Sequence, residues 1–351
     1  MTISAIALIG ILGVAVDVGR LYIAKNETQV YADAAALAAV TQLNGATTGL
    51  TAARNAAAAA ANSWNLNSTN ATTGTLEFGT TSAGPWVTAP ASGTGYSYAR
   101  ATLPVQMPLF FLPVIVSRYQ QQVVSVSVAS QEPINSFSVG LEPYSLVAGN
   151  STGPNFGLTA GGSYTIQWPA FNNNKFVKPP CNDDSQAAQS SVKNRWGSST
   201  NGYWGFTSNS DITQAVLNGR QTAPLTIGQN ILPIMTNGNK AAQGNVLDQR
   251  ANQDQDLTSQ TPNAYMQNNN NHNGRRIMVV PILSIDSATV TTVVGWGAVL
   301  LYTNGSNSNY YKQVNGNDPF CAVYMGPYVV GSTNSGGATS GSGAYRPRLV
   351  Q

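Results

Sequence analysis

The amino-acid sequence predicts an α+β protein with a long N-terminal hydrophobic helix, a small α/β head and a larger β-rich C-terminal domain. Three observations lead to this prediction. Residues 3–43 contain no proline and are first apolar and then rich in alanine. Segments that alternate apolar and polar residues, as strands do, begin near residue 75. Beyond residue 134 the chain is rich in glycine and contains short apolar runs, which are typical of buried strands.

The N-terminal helix is predicted from Ile3 to Leu43 and ends at Asn44-Gly45, a common C-terminal stop. Its front half is apolar on every side and therefore requires burial in lipid or among other helices. Its rear half is amphipathic and rich in alanine, which allows close approach of a neighbouring backbone.

The head follows with a second helix from Leu50 to about Trp64 and then a polar loop. A short apolar element, Pro108–Val116, is predicted to fill a core. The predicted strands of the head are Thr75–Thr80, Tyr96–Val105 and Val123–Ser130.

The β-rich domain contains two long apolar segments, Arg275–Ile285 and Val290–Tyr302, which we predict to be adjacent buried strands. Phe320–Gly331 is predicted as a third strand, and residues 332–351 as a Gly/Ser-rich tail. The predicted domains are therefore residues 1–45 for the helix, 46–134 for the head and 135–351 for the β-rich domain.

Charge is sparse: there are 17 Lys and Arg and 14 Asp and Glu, with a net charge of +3. The basic residues do not cluster, so nothing predicts a nucleic-acid surface. The polar residues are mostly Asn, Gln, Ser, Thr and Gly, which suits extracellular proteins and dense assemblies in which like charges repel.

Export is also indicated by the N-terminus, where Ile3–Val16 is almost wholly apolar and Val18 to Ile23 extend the run to a membrane-spanning length. No basic residue precedes the run, so Met1 is either the translation start or the first residue of a processed chain. In an oxidising compartment the two cysteines, Cys181 and Cys321, are expected to form a disulfide.

Sequence motifs give little support for catalysis or cofactor binding. The sole histidine, His272, lies in an asparagine tract, and no phosphate-binding loop or zinc spacing is present, so we predict neither enzymatic activity nor a cofactor. The carboxylates Asp248, Asp254 and Asp256 form a weak Ca²⁺ candidate that lacks the EF-hand spacing, and the alternative is a polar loop. Possible glycosylation sites are Asn67, Asn70, Asn150 and Asn304.

The segment GVAVDVGRLYIAKNETQVYADAAALAAV resembles the N-terminal helix of TadE/TadG-like proteins of bacterial tight-adherence (Flp-type) pilus systems, which are related to type IV pilins. The motif D-x-G-R-L-Y and the continuation N-x-x-Q…A-D-A-A-A-L-A carry the resemblance. It extends more weakly through LEFG, YARATLPVQMPLFF and VVSVSVAS, which follow the family order of strands. It implies a TadE-like, pilin-like head and an N-terminal helix that mediates assembly.

The resemblance implies a secreted, self-assembling structural subunit of a pilus-like filament that serves surface adhesion or cell-cell contact. Its partners would be further copies of itself, the inner membrane before assembly and the pilus secretion machinery. The alternatives are an inner-membrane-anchored minor pilin or tip adhesin, and a membrane-tethered carbohydrate-binding module or enzyme. The residues assigned to the assembly helix are Ile3, Ile6, Leu8, Ile11, Leu12, Val16, Asp17, Arg20, Leu21 and Tyr22.

Asp17 and Arg20 lie three positions apart and share a helical face, so they can pair within the chain. In a filament core, however, buried charges require partners, and Asp17 of one copy would then meet Arg20 or the terminal amine of another. Type IV pilins usually carry a glutamate as the fifth residue, where this chain has Ala5. Asp17 is the candidate to replace it.

Overall fold

The computed structural model describes residues 2–60, 74–113, 117–153, 155–168, 181, 192, 196, 200–206, 208–219, 221–237, 243–268, 272–287, 289–303, 320–329 and 342–350. The chain forms two compact units. The first contains residues 1–132 and 347–351, and the second contains residues 133–346.

The first unit packs two helices against an antiparallel sheet. The helices are α1 (Thr2–Thr41) and α2 (Thr47–Ala58), and the strands are β1 (Thr75–Gly79), β2 (Tyr98–Pro108) and β3 (Gln120–Pro133). Strand β1 pairs with β2 from Thr75↔Thr102 to Gly79↔Tyr98, and β2 pairs with β3 over its whole length. The end of strand β14 (Ala344–Val350) lies beside β3, where Arg348 forms an ion pair with Glu132 at 2.8 Å.

The core of the first unit consists largely of alanine. Both helices and both long strands contribute fully buried alanines to one cluster, together with Phe78, Val40, Leu43 and Leu50. The alanines are Ala35, Ala36, Ala39, Ala53, Ala57, Ala99, Ala101 and Ala129. Alanine favours the helix and adds little bulk, so the helices can lie close to the sheet.

Helix α1 ends through two contributions. Gly45 adopts a positive φ of 78°, which turns the chain after the last helical residues. Gln131 of β3 donates its side-chain amide to the carbonyls of Val40 at 2.8 Å and Leu43 at 2.7 Å. These bonds satisfy backbone acceptors at the end of the helix.

The second unit is built on a five-stranded sheet with the order β5-β10-β11-β12-β6. Strands β10 (Ile277–Ile285) and β11 (Thr291–Leu301) are antiparallel neighbours, and β11 also pairs with β12 (Phe320–Gly326). The sheet edges are β5 (Leu146–Val147), parallel to β10, and β6 (Ser163–Gln167), antiparallel to β12.

Both faces of this sheet are buried, which explains why its strands read as continuous apolar runs. Met278, Val280 and Ile282 of β10 face one core, and Val279 and Leu283 face the other. Helices α3 (Asn209–Asn218) and α4 (Gln243–Ala251) contribute to the first core, and α5 (Pro262–Gln267) contributes to the second.

Shorter strands complete the second unit. Strand β4 (Ser136–Phe137) pairs with β8 (Leu225–Thr226), and β7 (Thr200–Trp204) pairs with β9 (Met235–Asn237), which follows a 3₁₀ turn at Leu232–Ile234. Strand β13 (Tyr328–Val329) is parallel to the beginning of β14.

The predicted α+β class and the large β-rich part are confirmed, as is the pairing of the two long C-terminal strands. Two details differ from the prediction. Residues 344–350 form a strand rather than a Gly/Ser-rich tail. The helix predicted from Leu50 to Trp64 is observed as Thr47–Ala58, and residues 61–73 lie outside the described part.

Helix α1 is present, as predicted. Among the residues whose side chains the structure describes, no helix is both long enough and apolar enough to cross a membrane.

Replacing Gln131 by alanine should loosen the end of α1, because two buried carbonyls lose their donor. We expect a destabilisation of about 1–3 kcal/mol, seen as faster hydrogen exchange of peptides covering residues 31–43. Gln122→Ala on the exposed side of the same strand is the control and should change little. Equal effects of the two substitutions would contradict this role.

Candidate assembly surface

One side of α1 is buried against its own unit. Gly13, Asp17, Ala24, Thr28 and Tyr31 repeat at helical spacing and are buried. Half-buried Leu21 lies between them and packs with Ala24, Met107 and Val123. This buried stripe fixes the rotation of the helix about its axis.

The opposite side of α1 exposes large apolar side chains. Ile11 is 69% exposed, Leu12 64% and Tyr22 68%, while Val16 and Ile23 are also largely exposed. We call this set the apolar side of α1; Val18 and Val30 extend it. Continuous exposed apolar surface of this kind marks interaction sites in soluble proteins and contacts with lipid in membrane proteins.

The carboxylate of Asp17 binds three consecutive backbone amides of the segment after β2. Phe110 N donates to Oδ1 at 3.0 Å, and Phe111 N and Leu112 N donate to Oδ2 at 2.8 and 2.7 Å. We call this arrangement the Asp17 cradle. Successive amides that converge on one carboxylate form an anion-binding concavity, so the buried charge has partners within its own chain.

Burial would raise the pKa of Asp17, but the amide hydrogen bonds from Leu112, Phe110 and Phe111, together with the charge of Arg20, lower the pKa below the ordinary value of 3.8. The carboxylate is therefore ionised at neutral pH.

Arg20 and Gly13 contact the same segment as Asp17, at Phe110 and Phe111. The Arg20 guanidinium lies 4.0 Å from the centroid of the Phe110 ring, a cation–π contact. A Cβ on Gly13 would lie 2.6 Å from the Cβ of Phe111, so only glycine admits the segment at this distance from the helix. Phe110 itself remains 61% exposed.

Polar residues of the middle of α1 attach it to β3. Lys25 Nζ donates to the carbonyl of Val124 at 2.6 Å, and the hydroxyls of Thr28 and Ser125 are 2.6 Å apart. Gln29 donates to the carbonyl of Val126 at 3.2 Å. The helix is thus held to the sheet by directional bonds as well as by packing.

The structure separates the predicted assembly residues into groups. Ile11, Leu12, Val16 and Tyr22 are exposed, whereas Asp17 is buried, and Arg20 and Leu21 are half-buried against the unit. The side chains of Ile3, Ile6 and Leu8 lie outside the described residues.

The expectation that Pro108–Val116 fills a core is wrong for its two phenylalanines, because Phe110 and Phe111 are exposed. Their backbone instead supplies the Asp17 cradle. Residues 114–116 lie outside the described part. Sequence reasoning missed this partner of Asp17, since amide donors carry no residue-type signal.

In the second unit Cys181 and Cys321 form the predicted disulfide, with their Cα atoms 5.6 Å apart. Cys321 belongs to β12, so the bridge ties Cys181 to the central sheet. Bridges that close long loops stabilise by up to about 4–5 kcal/mol in the chain-entropy model.

Asp254 and Asp256 use their carboxylates to organise the turn between α4 and α5. Asp254 accepts from the Tyr265 hydroxyl at 2.6 Å and the Arg276 amide at 3.0 Å, and Asp256 accepts from the amides of Thr258 and Ser259 at 3.0 Å. No metal-binding group of acidic, His or Cys residues occurs in the described ranges. Both carboxylates thus accept from protein donors, and the Ca²⁺ candidate with Asp248 stays a prediction.

Two further predictions concern exposed polar residues. Asn150 is exposed and accepts from the amide of Thr152 at 2.9 Å, while Asn67, Asn70 and Asn304 lie outside the described residues. His272 is not a freely solvated loop residue, because its ring stacks on Tyr265 with centroids 4.4 Å apart.

The N-terminal segment matches a known protein family. Residues 1–42 match the family of putative Flp pilus-assembly TadE/G-like proteins, which confirms the resemblance predicted for the N-terminal segment. The match connects this segment with Flp (tight-adherence) pilus systems and with the cell envelope. Searches of curated proteins and of solved structures found no match to the chain.

Asp17→Asn should weaken the cradle, because a neutral amide is a poorer acceptor than a carboxylate. We expect exchange of the amides of Phe110–Leu112 to become at least about tenfold faster, measured by hydrogen exchange. The control is Asp33→Asn, which removes a carboxylate from the same helix that accepts only from the Gln29 side chain at 2.9 Å in the described contacts. Unchanged exchange in Asp17→Asn would contradict the cradle.

The Asp17 cradle also predicts a pH dependence. Because the folded-state pKa lies below 3.8, the ionised carboxylate stabilises the first unit above that pH, and the stabilisation is lost as the pH falls through the folded-state pKa. The amide NMR signals of Phe110–Leu112 should therefore be constant at neutral pH and titrate only below the ordinary aspartate range. Titration at a higher pH, or the same titration in Asp17→Asn, would exclude the assignment.

Proposed function

We propose that this chain is a structural subunit of an extracellular, pilus-like filament and that it polymerises through α1. The observation that carries the proposal is the apolar side of α1, which remains exposed although the other side of the helix is packed on the first unit. The match of residues 1–42 to Flp pilus-assembly proteins supports the same role.

The apolar side of α1 has to be kept from water both before and after assembly. Burying apolar area contributes roughly 25 cal/mol per Å², so side chains such as Ile11, Leu12 and Tyr22 gain from contact with another apolar surface. In the filament that surface is α1 of neighbouring copies. Before assembly it is the inner membrane, in which the apolar residues 3–16 are held.

Arg20 provides a polar contact beside this apolar side. Its Nη1 atom is buried and has no hydrogen-bond partner among the described residues. A buried donor without an acceptor is unfavourable by about 1–3 kcal/mol. In the filament a backbone carbonyl or a carboxylate of an adjacent copy supplies that acceptor, which fixes the axial register.

In this proposal Asp17 does not replace the glutamate that type IV pilins usually carry as their fifth residue. Its carboxylate is already satisfied by the amides of Phe110, Phe111 and Leu112, so it positions the segment at the edge of the apolar side. Arg20, rather than Asp17, is then the charged residue available to an adjacent copy.

The mechanism is assembly rather than catalytic turnover. Helices leave lipid for a protein core with the aid of the pilus secretion machinery, and the second unit is carried to the cell surface for adhesion or cell-cell contact. The cysteine bridge suits this extracellular setting, since disulfides persist under oxidising conditions.

Leu12→Glu tests the proposal, because a charge on the apolar side would be buried in the filament without a partner. We expect negative-stain electron microscopy of sheared surface material to show fibres of this chain in the wild type and few or none in the variant. Val139→Glu is the matched control, since Val139 is also an exposed apolar residue, at 72%, but belongs to the second unit.

Normal fibres from Leu12→Glu would overturn the proposed interface. Wild-type protein found only in the membrane fraction would favour an anchored minor pilin. Wild-type protein found only at fibre tips, located by immunogold labelling, would favour a tip adhesin.

A further inference from the structure

The second unit contains an open cleft of about 520 Å³, separate in the chain from the assembly helix. Its polar lining includes Glu142, Arg250 and His272, and its apolar lining includes Ile277, Val279 and Tyr328. The volume lies within the range of roughly 300–1,000 Å³ that is usual for small-molecule sites, and a few polar groups in an apolar wall are also usual.

Glu142 is the unusual group in this cleft. Its side chain is 5% exposed, and its Oε1 forms an ion pair with Nη1 of Arg250 at 2.8 Å. Its backbone amide donates to the carbonyl of Val279 at 2.9 Å, which fixes its position at the sheet. The second carboxylate oxygen, Oε2, is buried and has no hydrogen-bond partner in the described part of the chain. Buried acceptors are nearly always satisfied, so this atom points to an absent partner.

Arg250 compensates the charge of Glu142 and is itself fully engaged. Its Nε donates to the carbonyl of Arg275 at 2.9 Å and its Nη2 to that of Ile277 at 3.2 Å. The carboxylate therefore belongs to a neutral pair, and Arg275 adds positive charge nearby. Such a site offers little attraction to a cation.

His272 supplies a second unpartnered atom. Its ring stacks on Tyr265, whose hydroxyl donates to Asp254 at 2.6 Å, so the imidazole is held in place. Its Nε2 is buried and lacks a hydrogen-bond partner among the residues described. The cleft is thus lined by two residues that each carry a buried, unpartnered polar atom, a carboxylate oxygen in Glu142 and an imidazole nitrogen in His272, beside an apolar wall.

We propose that this cleft binds a neutral, hydroxyl-rich ligand, a saccharide unit, through hydrogen bonds to Glu142 Oε2 and His272 Nε2 and through apolar contacts with Tyr328 and Ile277. Sugar hydroxyls both donate and accept, which suits two unpartnered polar atoms, one of them in a carboxylate already paired with Arg250. The C–H faces of a sugar ring pack on aromatic and aliphatic side chains. The proposal extends the filament's role from assembly to recognition, and it does not require that the chain polymerise.

The ionisation of Glu142 is set by opposing effects. Burial raises the pKa of Glu142 to about 7, against the opposing charges of Arg250 and Arg275.

The experiment uses the full chain and isothermal titration calorimetry with four probes: D-glucose, D-galactose, D-mannose and N-acetylglucosamine. Choline is the cationic comparison. We expect saturable binding of at least one sugar and none of choline. Because His272 is the sole histidine, ¹³C-histidine labelling gives a single reporter, and its imidazole signals should shift with the same saturation curve.

Two variants locate the site. Glu142→Gln and His272→Ala should each weaken sugar binding at least about tenfold, which corresponds to about 1.4 kcal/mol. Glu77→Gln, which alters an ion-paired glutamate of the first unit, is the control and should bind as the wild type does. His272 is partly exposed, so its variant remains informative if Glu142→Gln does not fold.

Failure of all four sugars to bind, or binding of choline alone, would overturn the proposal. Sugar binding that leaves the His272 signals unchanged and survives His272→Ala would also overturn it. Neither result bears on fibre formation, which the Leu12→Glu experiment measures independently.

Discussion

Close packing of alanine on alanine is the constraint on which the first unit depends. Helices α1 and α2 place Ala35, Ala39 and Ala53 against Ala101 and Ala129 of the sheet, all fully buried. Any larger side chain at these positions would push the helices away from the strands. The same contact fixes the rotation of α1 and thereby decides which of its apolar residues face outward.

The Asp17 cradle supplies hydrogen-bond donors to a buried charge that lies beside that apolar side. A charge near apolar surface is tolerated only when it has partners, and here the partners are amides of the same chain. Because the segment carrying Phe110 and Phe111 is held by its backbone, both aromatic side chains stay largely exposed, although Arg20 lies over the Phe110 ring and Phe111 packs against Gly13. One carboxylate thus positions exposed aromatic residues without using any of their side-chain atoms.

Local signals in the sequence predicted the elements well. Helix α1 and the paired strands β10 and β11 follow from periodicity, apolar runs and chain breaks, which act over neighbouring residues. The exposure of Phe110 and Phe111 was not predicted. An apolar side chain is expected to be covered, but the sequence does not show whether its own chain or another molecule covers it. The resemblance to pilus proteins was strongest over residues 9–43 and weaker beyond them, and the family match covers residues 1–42.

The sites were harder to predict for a different reason. Asp17 and the amide of Phe110 are separated by 93 positions. Almost every residue has a backbone N–H, so a backbone donor cannot be recognised from residue type. Glu142, Arg250 and His272 come together only when β10, α4 and α5 are assembled. Their spacing in the sequence therefore gives no indication of the cleft that they line. For Asp254 and Asp256 the sequence fits both a metal site and a polar turn, and the sequence gives no indication of the protein donors that their carboxylates accept from.

The connection of the chain between its units has a consequence for biosynthesis. The first unit includes residues 347–351, and β14 lies beside β3 in its sheet. These residues leave the ribosome only after the whole of the second unit has been made. The sheet that supports α1 is therefore incomplete while translation continues. Nascent chains thus expose an unfinished sheet edge during synthesis, and a chain that ends before residue 344 lacks the strand beside β3.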